Sequence, residues 1–476
     1  MNMRHYFSNY WSLIIVIALS PILLTAVLPI LPTHDDWTSL TTPSFGEFFT
    51  KERFFFYGYH WRPFDSMIGY VAGRNPQTLF PAFNHVIVII GHLICTLAVF
   101  KLLSTLHFSR LATNITTLLF FILPATMASV TAVDSQNQVL ALTCDIIAFL
   151  AYIHLKKWRY PVWILLILLA TLFKENGLMW AIICPILAFG FGFIDRRRLQ
   201  RDMIAGLSII LLYALFIIVQ PKDITIHPDY EPGIMKMVSN TIKFFFTTFI
   251  TVDYIYLLHR PSRNLPLALL TLLTTLPFLY FLFMRKGRRL INKPVLATLL
   301  AMLIAVSPHV FTVFSMMHTY AALGLLAVLM AYAIDSIDKM AMKPVILTAL
   351  AFSITSLAID IHLINSSIDS GRIGKQMAVE AIQKTGEPVS RVQVIIIEDD
   401  YPKLSSFCVI PAEAFGWGIA AKYETNYSWP QEICDTTIER TDSAPLIAQN
   451  LAKTYLQSDS CDCVWIINHS NVDVVK

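Results

Sequence analysis

The chain has 476 residues, of which 55% are hydrophobic and 14% charged, with a formal net charge of +4. A soluble domain carries about 25% charged residues, so this composition excludes a water-soluble globular protein and calls for a polytopic membrane protein. The small positive charge makes no case for nucleic-acid binding, because the basic residues sit in short clusters between apolar segments, where topology signals belong.

A helix needs about 20 apolar residues to cross a bilayer. The first such run, 11–31, has no small-residue cleavage site and reads as a retained span. It ends in LPTHDDWTSL (31–40), where His34, Asp35, Asp36 and Trp37 follow at once. The loop that begins there, 32–80, is long and aromatic, and FFTKERFFFYGYHWRPFDSMIGYVAGRNP within it suits short helices lying in the membrane interface. Further apolar segments of spanning length occupy 81–103, 111–131, 138–155, 160–173, 177–194, 203–220, 265–284, 294–313, 318–334 and 344–364. That is about eleven spans, the fifth short, with room for a twelfth in 234–258.

The basic clusters fall on alternate loops. Arg4 precedes the first span, and Lys101 with Arg110 follows the second. Lys156, Lys157 and Arg159 follow the fourth; Arg196, Arg197, Arg198 and Arg201 follow the sixth. Arg285, Lys286, Arg288 and Arg289 follow the eighth, and Lys339 and Lys343 the tenth. With the N-terminus inside, each of these loops is cytoplasmic. An odd number of spans then puts the C-terminal part outside.

That part, 365–476, reads as a small soluble α/β or α+β domain. VQVIIIED (392–399) and CVWIIN (463–468) have the apolar runs of buried strands, and Ser370 to Lys384 reads as helix. Cys408, Cys434, Cys461 and Cys463 all fall here, which suits one or two disulfides in an oxidising compartment. Cys95, Cys144 and Cys184 lie in apolar segments and read as packing residues. Asn-x-Ser/Thr triplets at Asn365, Asn426 and Asn468 are no more than chance provides.

The residues suited to chemistry concentrate on the outer side. Adjacent carboxylates beside apolar walls repel each other and are partly desolvated, which suits Asp35 and Asp36 to general-base work; the plain alternative is a solvated helix end. Asp134 surfaces on the same side at the start of the fourth span. Lys174 and Glu175 form a nearly loop-free turn between two apolar segments, where a charged pair is costly unless it faces a polar cavity or is paired within itself. Arg62, in Trp61-Arg62-Pro63, has the planar fork that binds phosphate, or serves as an interfacial anchor. Carboxylates, phosphate-binding cations and a lipid-level aromatic groove are what attack on a lipid-phosphate-linked sugar requires.

In order, side and spacing these motifs resemble the GT-C class of integral-membrane glycosyltransferases, which includes the protein O-mannosyltransferases and the lipid A aminoarabinose transferases. Those families carry an acidic pair just after the first span, here Asp35-Asp36, and a second acid near the start of the fourth span, here Asp134 in VTAVDSQNQ. WRPFDSM (61–67) resembles the Arg-Pro element of the tetratricopeptide-containing O-mannosyltransferases, and TLFKENGLMWAIICP (171–185) their Lys-Glu-x-Gly-turn-Pro element. The resemblance covers roughly the first 220 residues. Departures are Asp36 where many members have Glu, an Asn-Gln-rich turn after Asp134 in place of Gly-Arg-Asp, and the absence of a tetratricopeptide pattern.

The resemblance implies a GT-C-like transmembrane domain over 1–364 and a polyprenyl-phosphate-sugar donor, with inverting hexosyl or pentosyl transfer to a lipid, glycan or protein acceptor at the outer face. It implies Asp35 as the base, with Asp36 and Asp134 orienting base or acceptor. Arg62, Lys174, Arg260 and Arg263 are the phosphate candidates, and His34, Glu175 and His259 stand behind them. His318, in SMMHTY, reads first as a packed or interfacial residue. No metal site and no cofactor is expected, a divalent cation among Asp35, Asp36 and Asp134 being the open alternative. The competing readings are a membrane polysaccharide polymerase or ligase, a lipid-linked-glycan transporter, and a structural or sensory protein. Compact size and the missing repeat array point to a bacterial inner membrane.

Overall fold

A computed structural model describes residues 3–33, 36–37, 40, 45–48, 61–219, 233–250, 269, 292–311, 314–337, 342–398 and 410–476. Of the expected site residues, His34, Asp35, His259, Arg260 and Arg263 lie outside the described residues, as does Cys408.

Helix α1 (Met3–Val27) leads to the first loop, which contains the short α2 (Phe45–Phe48), α3 (Pro63–Gly73) and α4 (Pro76–Leu79). The bundle continues through α5 (Ala82–Thr105), α6 (Arg110–Phe121), α7 (Pro124–Thr131), α8 (Gln136–His154), α9 (Arg159–Phe173), α10 (Trp180–Gly190), α11 (Arg196–Val219) and α12 (Ile234–Ile250). It closes with α13 (Lys293–Val306), α14 (Tyr320–Asp335) and α15 (Met342–Thr385). Among the described residues six helices are long and apolar enough to cross a membrane, or seven when the bent pair α6–α7 is one span. The short span expected at 160–173 is a helix of 15 residues, and those expected at 177–194 and 294–313 are shorter than expected, with 11 and 14 residues.

Where a helix breaks inside the bundle, a polar side chain takes over the freed backbone, as a non-aqueous surrounding demands. Backbone geometry departs from helix at Tyr10 in α1. There the Asn114 amide donates to the Asn9 carbonyl at 3.0 Å and accepts from the Ser12 N–H at 3.1 Å. The bend of 42° between α6 and α7 sits at Pro124, and His92 Nε2 lies 3.1 Å from the Phe121 carbonyl there while Nδ1 meets Tyr320 Oη at 2.8 Å. These buried polar residues are satisfied parts of the scaffold.

α15 has 44 residues. At 1.5 Å per residue it is about 66 Å long, so it runs out of the apolar bundle and continues into the C-terminal part without interruption at 364/365. There it packs on a four-stranded sheet of order β2-β1-β3-β4, with β1 (Arg391–Ile397), β2 (Glu432–Ile438), β3 (Cys463–Asn468) and β4 (Asn471–Val475). β1 pairs in parallel with β2 and β3, and β4 is antiparallel to β3. Both strands expected at 392–399 and 463–468 are present. β1 is buried on both faces: Val392, Val394 and Ile396 meet α15, α16 (Pro411–Ala414) and α17 (Ile419–Glu424), while Ile395 and Ile397 meet α18 (Ala444–Gln457).

The disulfides expected in this domain are not formed by the described cysteines: Cys434, Cys461 and Cys463 are free thiols. The sheet explains it for one pair. Cys434 on β2 and Cys463 on β3 flank the central strand, which puts their backbones about 9.5 Å apart, beyond disulfide reach. Burial raises the Cys461 and Cys463 thiols above their ordinary pKa, which keeps them protonated and unreactive.

Candidate active site

The site forms where the loop after α1, the start of α3, the α7–α8 turn and the α9–α10 turn meet. Asp36 ties the first two outer loops together. Its Oδ2 accepts the Thr33 N–H at 2.9 Å, and the Asp36 N–H in turn donates to the Thr33 carbonyl at 2.9 Å, closing a tight turn. Its Oδ1 accepts the Asp134 N–H at 3.0 Å. The side chain is 6% exposed, so this carboxylate is spent on backbone amides, a strong arrangement for holding a loop. It ties the Asp134 backbone to the turn at Thr33 and Asp36.

Trp37 anchors the same turn from the other side. It packs on Phe80 and Tyr423, with ring centroids 6.1 and 5.4 Å away. Tyr423 Oη donates to the carbonyls of Phe80 and Pro76 at 3.0 and 3.2 Å. Gly416, at φ +60°, lies so close that a Cβ there would overlap the indole. The C-terminal domain is therefore built against the loop that bears the acidic pair.

Arg62 stands at the N-terminal end of α3, whose Pro63 starts the helix with the required φ. Its guanidinium grips Glu175 through Nε–Oε2 at 2.7 Å and Nη2–Oε1 at 2.5 Å. One turn into α3, Asp65 accepts from Gln136 Nε2 and Asn137 Nδ2, each at 2.9 Å, on the first turn of α8. Burial raises the Asp65 carboxyl above the usual range, against the lowering effect of Asn137, Arg62, Lys174 and Gln136.

Lys174 lies at the centre. It is 5% exposed, held in the turn between α9 and the helical turn Glu175–Met179, where its N–H donates to Ala170 O at 2.9 Å. Its ammonium makes no hydrogen bond or ion pair among the described residues. Burial pushes its pKa down to about 8, helped by Arg62 and opposed by Glu175, Asp65 and Asp134. Those four charges are the electrostatic surroundings of one buried cation. Nearby chain positions leave further polar atoms without partners among the described residues: Asn176 Oδ1, Gln136 Oε1, and both amide atoms of Gln138. His318 stacks on His309 with ring centroids 4.2 Å apart and planes 7° from parallel, within electrostatic reach of Lys174, Arg62 and Glu175.

The structure thus brings together Asp36, Asp134, Arg62, Lys174 and Glu175, which lie up to 139 positions apart in the sequence. Asp65, Gln136 and Asn137 join them. Their signal was present in the residues: Asp65 is three positions after Arg62 in the same WRPFDSM run, one helical turn away. Among the described residues no three His, Cys, Asp or Glu side chains stand together as a metal site. What the arrangement offers is a polar cluster in which a buried ammonium and a carboxylate-bound guanidinium stand among the carboxyl groups of Glu175, Asp65 and Asp134. Within the cluster Lys174 is the one cation whose ammonium has no acceptor in contact among the described residues, and burial without one is costly.

No family model matches the chain, and no curated protein sequence matches it. Among solved structures it is similar to ArnT from Cupriavidus metallidurans bound to undecaprenyl phosphate, with a TM-score of 0.50 and 10% identity over 98% of this chain and 98% of that one. It is also similar to the apo form of the same ArnT, with a TM-score of 0.52 and 11% identity over 97% of each chain. ArnT is a lipid A aminoarabinose transferase of the GT-C class. At such identity the likeness is one of fold: the chain shares the fold of this ArnT over 97–98% of its length, the fold that the motif resemblance implies.

Proposed function

We propose that this protein is a GT-C glycosyltransferase that moves a sugar from a polyprenyl-phosphate donor to an acceptor hydroxyl or amine at the outer membrane interface. The observation that carries the reading is Lys174, a buried ammonium with no hydrogen-bonded or ion-paired partner among the described residues, set beside Arg62. A buried lone charge is costly. The donor's phosphate supplies the missing counter-charge, and undecaprenyl phosphate on the ArnT neighbour supports that class of ligand.

In the proposed reaction the bond between the sugar's anomeric carbon and the phosphate oxygen breaks, and a bond from acceptor to anomeric carbon forms with inversion. The electron pair of the broken bond goes to the phosphate, whose growing charge Lys174 and Arg62 stabilise. The acceptor's proton passes to a carboxylate, with Asp35 as the proposed base and Asp134 as the proposed residue orienting the acceptor. Asp36 acts through Asp134 as a positioning residue, because its oxygens hold the Thr33 and Asp134 amides. Glu175 holds Arg62 in a fixed fork until phosphate arrives. Arg260, Arg263, His34 and His259 remain proposed contributors to donor binding. The basic clusters support an orientation with the N-terminus inside and the site and C-terminal domain outside.

The test compares envelope lipids and glycans by mass spectrometry in wild type, a deletion, Asp35→Asn and Lys174→Met strains with verified membrane expression. The reading requires one sugar increment to vanish in the deletion and both variants. An increment that survives in both variants but vanishes in the deletion would remove the carboxylate and the lysine from the chemistry.

A further inference from the structure

The far end of α8 and α9 carries a second buried polar cluster that the proposed reaction does not use. Along α8 it lies about 25 Å from the candidate active site, at 1.5 Å per residue. Asp202, fully buried, accepts from Tyr160 Oη at 2.9 Å, Arg198 Nε at 3.3 Å, Arg201 Nε at 3.1 Å and the Tyr152 hydroxyl. Arg159 and Arg198 sit over the Tyr152 ring at 5.7 and 5.6 Å, and Arg201 over Tyr160 at 5.6 Å.

The cluster has more donors and more positive charge than Asp202 can absorb. Arg159 Nε and Arg198 Nη2 are buried with no acceptor among the described residues. Segments 156–159 and 195–202 together hold seven Lys or Arg and two carboxylates, Asp195 and Asp202. Asp195 Oδ1 is already taken by the Arg198 N–H at 2.8 Å. The helix ends make the imbalance worse. α9 begins at Arg159 and α11 at Arg196, so cations stand at two helix N-termini, where the dipole disfavours them and favours an anion. Directly beyond the arginines, α11 exposes Ile204, Leu207, Leu211 and Leu212 at 52–66%, an apolar wall of acyl-chain character at bilayer depth.

We infer that this end of the bundle is a binding site for the headgroup phosphate of an anionic phospholipid, held by Arg159, Arg198 and Arg201 with its acyl chain along α11. The apolar continuation of the basic pocket selects a lipid over free phosphate. Asp202 with the two tyrosines is the scaffold that presents the arginines; it is not the ligand site itself.

The test uses the full chain purified in a neutral detergent and stripped of lipid. Native mass spectrometry measures adducts with phosphatidylglycerol and with phosphatidylcholine of the same chains, and a thermal melt is run with each lipid and with inorganic phosphate. The site predicts selective phosphatidylglycerol adducts and a rise in Tm with that lipid alone. One basic residue near a membrane surface accounts for about fivefold in anionic-lipid affinity, so Arg201→Gln, 65% exposed and expected to fold, should weaken binding about fivefold. Arg159→Gln should weaken it at least as much, and Lys453→Gln, on α18 of the C-terminal domain, should leave it unchanged. Equal adducts with both lipids, unchanged affinity in folded Arg201→Gln, or an equal Tm rise with inorganic phosphate would overturn the proposal.

Discussion

A buried charge sits near each end of the α8–α9 pair, Asp202 of α11 at one and Lys174 at the other, and the two are treated oppositely. At one end Asp202 accepts from two tyrosines and two arginines. At the other, Lys174 is as deeply buried and touches no acceptor among the described residues. A buried carboxylate saturated with donors is a fixed part of the scaffold. A buried ammonium without an acceptor stores a cost that the fold would not retain for stability, since replacing such a charge with an apolar side chain usually stabilises. The contrast motivates the proposed roles without any appeal to motif: the satisfied charge holds helices together, and the unsatisfied one is the proposed receiver of the donor's phosphate.

Substitutions at the two ends should therefore differ in kind. Lys174→Met should lower sugar transfer by about a thousandfold, as loss of a donor to a developing anion does, while raising stability by about 1–4 kcal/mol. Transfer assays and denaturation of the same preparation check both signs. Asp202→Asn should do the reverse. It strips two arginines of their counter-charge and should cost about 3 kcal/mol, with transfer per folded molecule unchanged. Loss of activity without loss of stability at Asp202 would erase the distinction.

Asp36→Asn tests the middle ground between the two. An amide has one acceptor oxygen where the carboxylate offers two, so either the Thr33 or the Asp134 N–H must lose its partner. Stability should fall by about 1–3 kcal/mol, and transfer should fall further than stability accounts for, through kcat more than KM, because Asp134 is displaced. Equal kcat in a folded variant would make Asp36 a loop staple only.

pH gives the smallest effect and the sharpest signature. Lys174 has its pKa lowered from 10.5 to about 8 in the fold. Between these values the unfolded chain holds a proton that the folded one has released, so this residue makes stability rise with pH across that window. Donor binding needs the ammonium and should run the other way, with kcat/KM falling about tenfold per unit above the folded pKa. Both slopes should be lost in Lys174→Met.

Much of this could be read from the residues because charge in an apolar context is conspicuous. Arg62, Lys174, Glu175 and Asp134 stand out among membrane-spanning segments, and basic clusters on alternate loops order the chain. Strands β1 and β3 are legible from runs such as VIII and VWII. What stayed hidden depends on contacts distant in sequence. The pairing of Asp36 with a backbone amide 98 positions away leaves no local trace. The seating of Trp37 against Gly416 leaves none either. α15 runs unbroken through 364/365 because the polar residues that suggest an ending there, such as Asn365 and Ser366, are all compatible with a helix leaving a membrane. The expected short span at 160–173 is present as α9, whereas 177–194 contracts to Trp180–Gly190 because its first residues belong to the helical turn Glu175–Met179 that follows Lys174.

The most direct test of the central claim is the affinity of the purified protein for undecaprenyl phosphate, measured for wild type and Lys174→Met at pH 7 and at pH 9.5. If the buried ammonium receives the phosphate, wild type should bind at least tenfold more weakly at the higher pH, and Lys174→Met should bind weakly and equally at both. Equal affinity of wild type and a folded Lys174→Met at pH 7 would contradict it.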